Sequence, residues 1–185
     1  MNLFFRMMFV LIASFLKPRI QSLFAETSLR LRVLPNDLDI NGHMNNGRYF
    51  TIMDLGRFDL VLRTGLMKLM MAEKSVPVLG SAKIRFRLPL MPFEPYDLVT
   101  RIVGFDDKWA YIEQKFVKVS GTKTGAVAAI AILKGSFYSH KNKTTVPTKE
   151  LLHLIGHDEP SPSLPDYVLK WIEAEESMKD YGRAA

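Results

Sequence analysis

A single long apolar helix is the feature that most constrains the fold of this chain. Apolar side chains occur around most of the helical circumference from Asn46 to Arg63, and a helix that is apolar nearly all round is buried. A strand-like segment precedes it at residues 27–34, and four strand-like segments follow it between residues 78 and 138. Their short connections predict an antiparallel meander. One sheet whose face is covered by one long helix is an α+β arrangement.

Changes of composition divide the sequence into three parts. Residues 1–24 are apolar and basic, residues 27–141 hold the strands and the long helix, and residues 148–185 are predicted to form a helical extension. The length of 185 residues suits one domain with a sizeable core. The chain contains no cysteine, which excludes disulfides, thiol nucleophiles and cysteine-rich zinc sites.

The N-terminal part has two alternative interpretations. Residues 7–16 form a run without charge, shorter than the about 20 residues that a membrane span needs. Lys17-Pro18-Arg19 follows where a signal peptide would carry its small-residue cleavage site. Residues 2–19 form either a helix in a membrane interface, with Arg6, Lys17 and Arg19 facing anionic lipid, or a helix packed on the domain or a partner subunit. The expected location is cytoplasmic, with membrane association through this segment as an addition.

The positive charge does not indicate a nucleic-acid partner. The formal net charge is +6, and half of it comes from three basic residues in segment 1–24, which has no acidic residue. Elsewhere the basic residues alternate with apolar ones along strands, as at residues 29–33 and 84–88. This alternation indicates a solvated strand face, and a surface for a phosphorylated carrier such as coenzyme A is the alternative. A nucleic-acid binder would instead concentrate basic residues among exposed aromatic ones.

Reactive side chains concentrate between the first strand and the long helix. Residues 37–46 read DLDINGHMNN and hold two carboxylates, one histidine and three carboxamides. A loop at the end of an element can hold such groups outside the core, and the free amides of a helix N-terminus can meet an anion. Asn45 or His43 is the expected N-cap of the helix.

This segment, followed by Tyr49, resembles the signature of hot dog thioesterases of the 4-hydroxybenzoyl-CoA type. It is closer still to the D-L-D-x-N-x-H-x-N-N pattern of plant acyl-ACP thioesterases. Residues 47–58 resemble an acyl-CoA thioesterase-like subgroup with a similar apolar N-terminal segment. The resemblance covers residues 28–138. It implies the hot dog fold, hydrolysis of an acyl-CoA or acyl-ACP thioester to free acid and thiol without a cofactor, and a homodimer or homotetramer.

The resemblance also implies roles for individual residues. Asp39 matches the carboxylate that acts as nucleophile or general base, and the sequence leaves these two roles open. Asn41 and His43 match polar partners in catalysis. The backbone amides of Asn45 and Asn46 fall where a helix N-terminus polarises the thioester carbonyl.

Other polar residues are weaker candidates for chemistry. Asp37 is expected to be a turn or capping residue, with direct chemistry as a secondary role. Asp54 is expected to form an ion pair with Arg57, three residues later, and catalysis is again secondary. His153 and His157 have helical spacing but no evident third ligand, so no metal site is expected.

Two other functions remain open. Hydratases of this fold use D-x-N-P-x-H, and residues 39–43 lack the proline and place the histidine one residue early. A non-catalytic acyl-binding or membrane-associated hot dog protein is the main alternative. Met67, Met70 and Met71 are expected to pack the core or to line an acyl tunnel. The sequence does not define the acyl chain length or its aromaticity.

Overall fold

The computed structural model describes residues 2–178, in which an antiparallel sheet packs around the long helix. The α+β arrangement predicted from the sequence is therefore confirmed. The helices and strands, in chain order, are α1 (Asn2–Leu16), β1 (Thr27–Arg32), α2 (Asn46–Thr64), α3 (Leu66–Ala72), β2 (Ser75–Phe86), β3 (Pro95–Phe105), β4 (Ala110–Lys118), β5 (Val127–Ser139), β6 (Thr144–Val146), α4 (Thr148–Leu154) and α5 (Asp166–Met178). Residues 179–185 of the predicted helical extension lie outside the described residues.

The sheet corrects one prediction of strand order. Its order is β1-β3-β4-β5-β2, with β6 beside β5. Strands β3, β4 and β5 form the predicted meander, but β2 pairs with β5 rather than with β3. The connection from β2 to β3 contains prolines and does not close a tight hairpin. It crosses to β1 instead, where the Phe93 amide donates to the Val33 carbonyl at 3.0 Å.

Helix α2 begins and ends as its sequence predicts. The Asn45 side chain caps it by accepting a hydrogen bond from the Gly47 amide at 2.8 Å. Gly65 ends it with a φ of 86°, the left-handed conformation that favours glycine. In the middle of the helix, a Cβ on Gly56 would lie 2.4 Å from Thr100 Oγ1. The absence of a side chain therefore lets α2 lie directly against β3.

The main core lies between α2 and the concave face of the sheet. Its fully buried members come from α2, from the strands and from the segment after β2; they include Ile52, Met53, Leu55, Leu90, Leu98, Phe116 and Leu133. On the other face of the sheet, α5 buries Val168 and Trp171 against Tyr111 and Ile132. The sheet is therefore covered by α2 on one face and by α5 on the other.

Helix α1 packs on the domain with one face and leaves the other exposed. Arg6, Val10 and Ser14 are buried and recur every fourth residue, so they share a face. The exposed face is apolar and includes Phe4, Phe5, Phe9, Ile12, Phe15 and Leu16. Of the two alternatives for this segment, packing on the domain is confirmed. Within residues 2–178, no helix combines the length and apolarity needed to cross a bilayer.

Candidate active site

The root of the motif loop, which we define as Asp37 and Asn45, is held by buried ionic contacts. The Asp37 side chain is 0% exposed. Its Oδ2 accepts hydrogen bonds from Arg6 Nη2 at 2.6 Å and from the Leu34 amide at 2.9 Å. Its Oδ1 accepts from Arg48 Nη2 at 2.9 Å and Nε at 3.1 Å. Asp37 therefore joins α1, the loop and α2.

This burial corrects the secondary catalytic role predicted for Asp37. Both carboxylate oxygens are occupied by cations or an amide, and neither faces solvent. A buried carboxylate needs such partners because desolvation of an unpaired charge is costly. Asp37 is thus a structural residue, and it is more than the turn or capping residue that its position suggested.

The tip of the motif loop, which we define as residues 39–43, is a closed turn that brings Asp39 and His43 together. The Asp39 amide donates to the His43 carbonyl at 3.0 Å, and the Gly42 amide donates to the Asp39 carbonyl at 3.1 Å. The His43 Nδ1 lies 3.4 Å from Asp39 Oδ2. The Asn41 amide donates to Asp39 Oδ1 at 2.9 Å. Gly42 has a φ of 72°, which a residue with a side chain adopts at a cost.

The tip is accessible, unlike Asp37. The Asp39 side chain is 17% exposed and that of His43 is 33% exposed. Ile40, which lies between Asp39 and Asn41 in the sequence, is fully exposed to solvent. The carboxylate and the imidazole are therefore held beside each other at the surface, where they are accessible from solvent.

The two predicted carbonyl-polarising amides differ in availability. The Asn45 amide donates to the Asp37 carbonyl at 2.8 Å, so the prediction that it polarises a substrate carbonyl is wrong. The sequence does not reveal this hydrogen bond, because it depends on how the loop folds back on Asp37. Asn46 is the first residue of α2, and its amide has no acceptor within residues 2–178. Such an amide at a helix N-terminus can stabilise a negative charge.

Two tyrosines lie beneath the loop as neutral groups. Burial is the main cause that raises the pKa of Tyr49, to about 12. Burial also raises the pKa of Tyr96 well above its usual value, and its hydroxyl has no hydrogen-bond partner within the described chain. Tyr49 and Tyr96 both pack on Phe116. The side chains packed here are therefore aromatic, and both tyrosines are neutral.

An apolar cavity lies away from the loop. It has a volume of about 410 Å³ and is lined by residues of α1, the second half of α2, α3, α4 and strands β2 to β5. Met67 and Met70 line it, as one alternative for these methionines predicted, whereas Met71 is exposed. No residue of segment 37–46 lines the cavity. Within one chain, the polar groups of the loop and this apolar cavity are thus separate.

Asp54 and Arg57 are the charged residues at this cavity. Arg57 Nη2 pairs with Asp54 Oδ1, which confirms the predicted ion pair within the helix. Arg57 Nη1 also donates to Gln114 Oε1 at 3.0 Å. Burial lowers the pKa of Arg57, and the paired Asp54 opposes that shift. Asp54 lies eight residues after Asn46, which is about 12 Å along an α-helix.

Residues outside the loop complete the picture. Among residues 2–178, no three histidine, cysteine or acidic side chains are grouped so that they could hold a metal ion. Asp59 of α2 is fully buried and accepts a hydrogen bond from Ser14 Oγ at 2.7 Å. Arg48 and Asp59 were not predicted, and the expectation that Arg6 faces anionic lipid is wrong, because its guanidinium is buried and pairs with Asp37. The isolated charge of Arg6 within an apolar helix was the one available signal, because such a charge needs a buried partner.

Comparison with known proteins identifies the family. A family model described as the thioesterase-like superfamily matches residues 33–172. The chain belongs to this superfamily. It is 32% identical over 181 residues to "Protein THEM6" of Xenopus laevis, with 98% of this chain and 84% of the relative covered. The resemblance stated from the loop motif is confirmed, and membership assigns the chain to thioester hydrolysis in general.

Solved structures confirm the hot dog fold. The "YbaW Probable Thioesterase" of Escherichia coli superposes with a TM-score of 0.63 at 18% identity, covering 71% of this chain and 96% of that protein. A gentisyl-coenzyme A thioesterase superposes with a TM-score of 0.59 at 20% identity, covering 69% of this chain and 99% of that protein. At these identities the likeness concerns the fold alone.

Proposed function

We propose that this protein hydrolyses an acyl-CoA or acyl-ACP thioester to a free acid and a thiol. One observation carries the proposal. The Asp39 carboxylate is held beside His43, at 3.4 Å, in an accessible turn that leads to the unpaired Asn46 amide at the start of α2. Acyl transfer needs a nucleophile or base next to an amide that can stabilise the negative charge on the carbonyl oxygen.

The reaction divides into carbonyl activation and attack. The thioester oxygen binds the Asn46 amide, which stabilises the oxyanion that forms during attack. The Asp39 carboxylate either attacks the carbonyl carbon or removes a proton from an attacking water. In the first route the carbon–sulfur bond breaks, the thiolate leaves and takes up a proton, and water hydrolyses the acyl–Asp39 anhydride. His43 supplies or orients the proton, and Asn41 positions the water.

The apolar cavity supports an aliphatic acyl group as the substrate class. Its volume falls within the about 300–1,000 Å³ of ligand pockets. Its lining is predominantly apolar, with flexible methionines at Met67 and Met70, which adapt to chains of different length. Asp54, exposed at the same cavity, is the second carboxylate for catalysis and is ranked below Asp39 because it is paired with Arg57.

In a dimer, the cavity of one chain would lie next to the motif loop of the other chain. Strand β2 is an edge of the sheet and exposes Val76, Val78 and Leu79. A long apolar edge strand is a template for pairing with another chain. Val78 and Leu79 also line the cavity, so pairing at this edge would place a second chain directly at it. We therefore extend the proposal to a homodimer, or a homotetramer built from dimers, with sites at the interface.

The exposed face of α1 supports contact with a membrane surface. Phe5, Phe9 and Phe15 point away from the domain, whereas Arg6 and Ser14 point into it. The polar residues of this helix are thus inside and the aromatic ones outside, which suits an apolar exterior. Lys17 and Arg19 follow the helix and would meet anionic lipid. The proposed location is cytoplasmic with peripheral membrane association.

Thiol release from acyl-CoAs of increasing length, and from an aromatic one, tests the proposal. The native protein should turn over an aliphatic substrate, and Asp39→Ala should lower kcat about 1,000-fold or more while staying folded. Asp54→Ala tests the second carboxylate and should retain most activity if Asp39 carries the reaction. Loss of activity in Asp54→Ala alone would transfer the catalytic role to Asp54.

A non-catalytic acyl-binding protein is the second candidate, because the cavity and the loop are separate within one chain. It predicts saturable binding of acyl-CoA without thiol release. If neither acyl-CoA nor an acyl carrier protein thioester is hydrolysed by the folded native protein, this candidate replaces the first.

A further inference from the structure

The guanidinium of Arg6 ties the N-terminal helix to the root of the motif loop. Arg6 Nη2 donates to Asp37 Oδ2 at 2.6 Å and to the Arg32 carbonyl at 3.0 Å. One nitrogen therefore joins α1, the end of β1 and the loop. We propose that Arg6 is a positioning residue for the catalytic turn, and that α1 is an integral part of the active site. This inference rests on the proposed function.

Burial makes this contact strong and specific. Arg6 is 8% exposed and Asp37 is 0% exposed, so water does not screen the pair. Arg48 holds the opposite carboxylate oxygen from α2. The two arginines thus clamp one carboxylate from two helices. If Arg6 is removed, Oδ2 keeps only the neutral Leu34 amide, Arg48 remains as the charged partner on Oδ1, and the carboxylate is free to move toward Arg48.

A shift of Asp37 would reach the reactive groups by two short routes. Its carbonyl accepts the hydrogen bond from the Asn45 amide at 2.8 Å, and Asn45 is the residue that caps α2 beside the Asn46 amide. On the other side, Leu38 forms an isolated bridge with Met44. That bridge directly precedes the turn that holds the Asp39 and His43 side chains. Both the oxyanion donor and the carboxylate therefore depend on the position of Asp37.

The rest of α1 has its own attachment to α2. Val10 is fully buried, and Ser14 Oγ donates to Asp59 Oδ1 at 2.7 Å. Lys17 Nζ lies 3.5 Å from the same Asp59 oxygen. Substitution of Arg6 should thus leave α1 docked and should disturb the loop locally.

The test compares Arg6→Met with Arg19→Met in the full-length protein. Both changes remove one positive charge near α1, but Arg19 is exposed and has no contact with the loop. Arg6→Met should lower kcat for the best acyl-CoA about 10- to 100-fold, because small misplacements of catalytic groups cost that much. The KM should change much less. Backbone amides of residues 38–46 should exchange hydrogen faster, while those of β3 and β4 keep native protection.

A conservative variant keeps the test informative if Arg6→Met does not fold. Arg6→Lys retains the charge but loses the planar guanidinium. It should fold, lower kcat about three- to tenfold, and speed exchange in residues 38–46. Native kcat and native exchange in Arg6→Lys would overturn the inference, as would the same result for a folded Arg6→Met. Arg19→Met should match the native protein in every measurement.

Hydrogen exchange separates this inference from the proposed function. Faster exchange of the loop in the Arg6 variants, with no thioesterase activity in the native protein, would reject the proposed function and keep the coupling of α1 to the loop. Native thioesterase activity with Arg6 variants that equal the native protein would do the reverse.

Discussion

The root and the tip of the motif loop carry the same residue type in opposite settings. Asp37, at the root, is fully buried and bound by two arginines and an amide. Asp39, two residues later at the tip, is accessible and has His43 as its one ionic partner within residues 2–178. A motif with two aspartates thus contains one that stabilises the fold and one that we propose for the chemistry. The neighbours supplied by α1 and α2 decide which is which.

The difference follows from the needs of a carboxylate in each place. A buried carboxylate is tolerated only with partners that replace its hydration. Those partners leave it unable to meet a substrate. A carboxylate at the surface can exchange water for substrate and take part in proton transfer. The loop therefore combines a buried aspartate that fixes its position with an accessible aspartate that can meet a substrate.

The largest expected effect is on stability at the root. Asp37→Asn removes the charge between Arg6 and Arg48 and leaves the buried guanidinium of Arg6 and the partly buried one of Arg48 without their anion. The free energy of unfolding should fall by about 3–5 kcal/mol, measured by urea denaturation. Asp39→Asn, as the matched change at the tip, should lower it by less than about 1 kcal/mol. Equal losses at both positions would refute the distinction between root and tip.

The root shows where prediction from sequence ended. The strand, the motif, the long helix and its limits were predictable, because apolar periodicity and capping residues are local signals. The partner of Asp37 was not, since Arg6 lies 31 residues away in a segment with its own apolar pattern. The availability of the Asn45 amide was also missed, because it depends on how the loop folds back on Asp37. Polar contacts between residues far apart in the sequence produce no periodic pattern from which they could be predicted.

The sheet order gives a second example. Short connections correctly predicted β3, β4 and β5 as a meander, yet β2 lies beyond β5 at the free edge. The segment between β2 and β3 is short enough for a hairpin, but it pairs with the end of β1 and supports the loop. The Met44 amide donates to the Leu90 carbonyl there, at 2.9 Å. The segment that links the edge strand β2 to β3 thus also contacts the motif loop.

A smaller effect is expected at the β2 edge, where a second copy of the chain would complete the site at the tip of the motif loop. Leu79→Lys places a charge on the exposed β2 edge, where pairing would bury it. The dimer dissociation constant should rise at least about 30-fold, measured by sedimentation velocity. The kcat at concentrations that dissociate the dimer should fall about tenfold.

The control for this variant is Leu154→Lys, an exposed leucine on α4 that does not line the cavity. It should leave both association and activity unchanged. If Leu79→Lys yields a monomer with native kcat, the tip is complete within one chain, and the separation of loop and cavity needs another explanation.

The smallest expected effect concerns the outer face of α1, the helix that holds the root. Phe9→Gln combined with Phe15→Gln removes two exposed aromatic side chains but keeps Arg6 and its contact with Asp37. Binding to phosphatidylserine-containing vesicles should fall about three- to tenfold, measured by co-sedimentation, with kcat on a soluble acyl-CoA unchanged. Leu169→Gln, on the exposed face of α5, is the control and should bind like the native protein. If the double variant instead lost activity without losing vesicle binding, the exposed face of α1 would act on the loop and would not serve as a membrane contact.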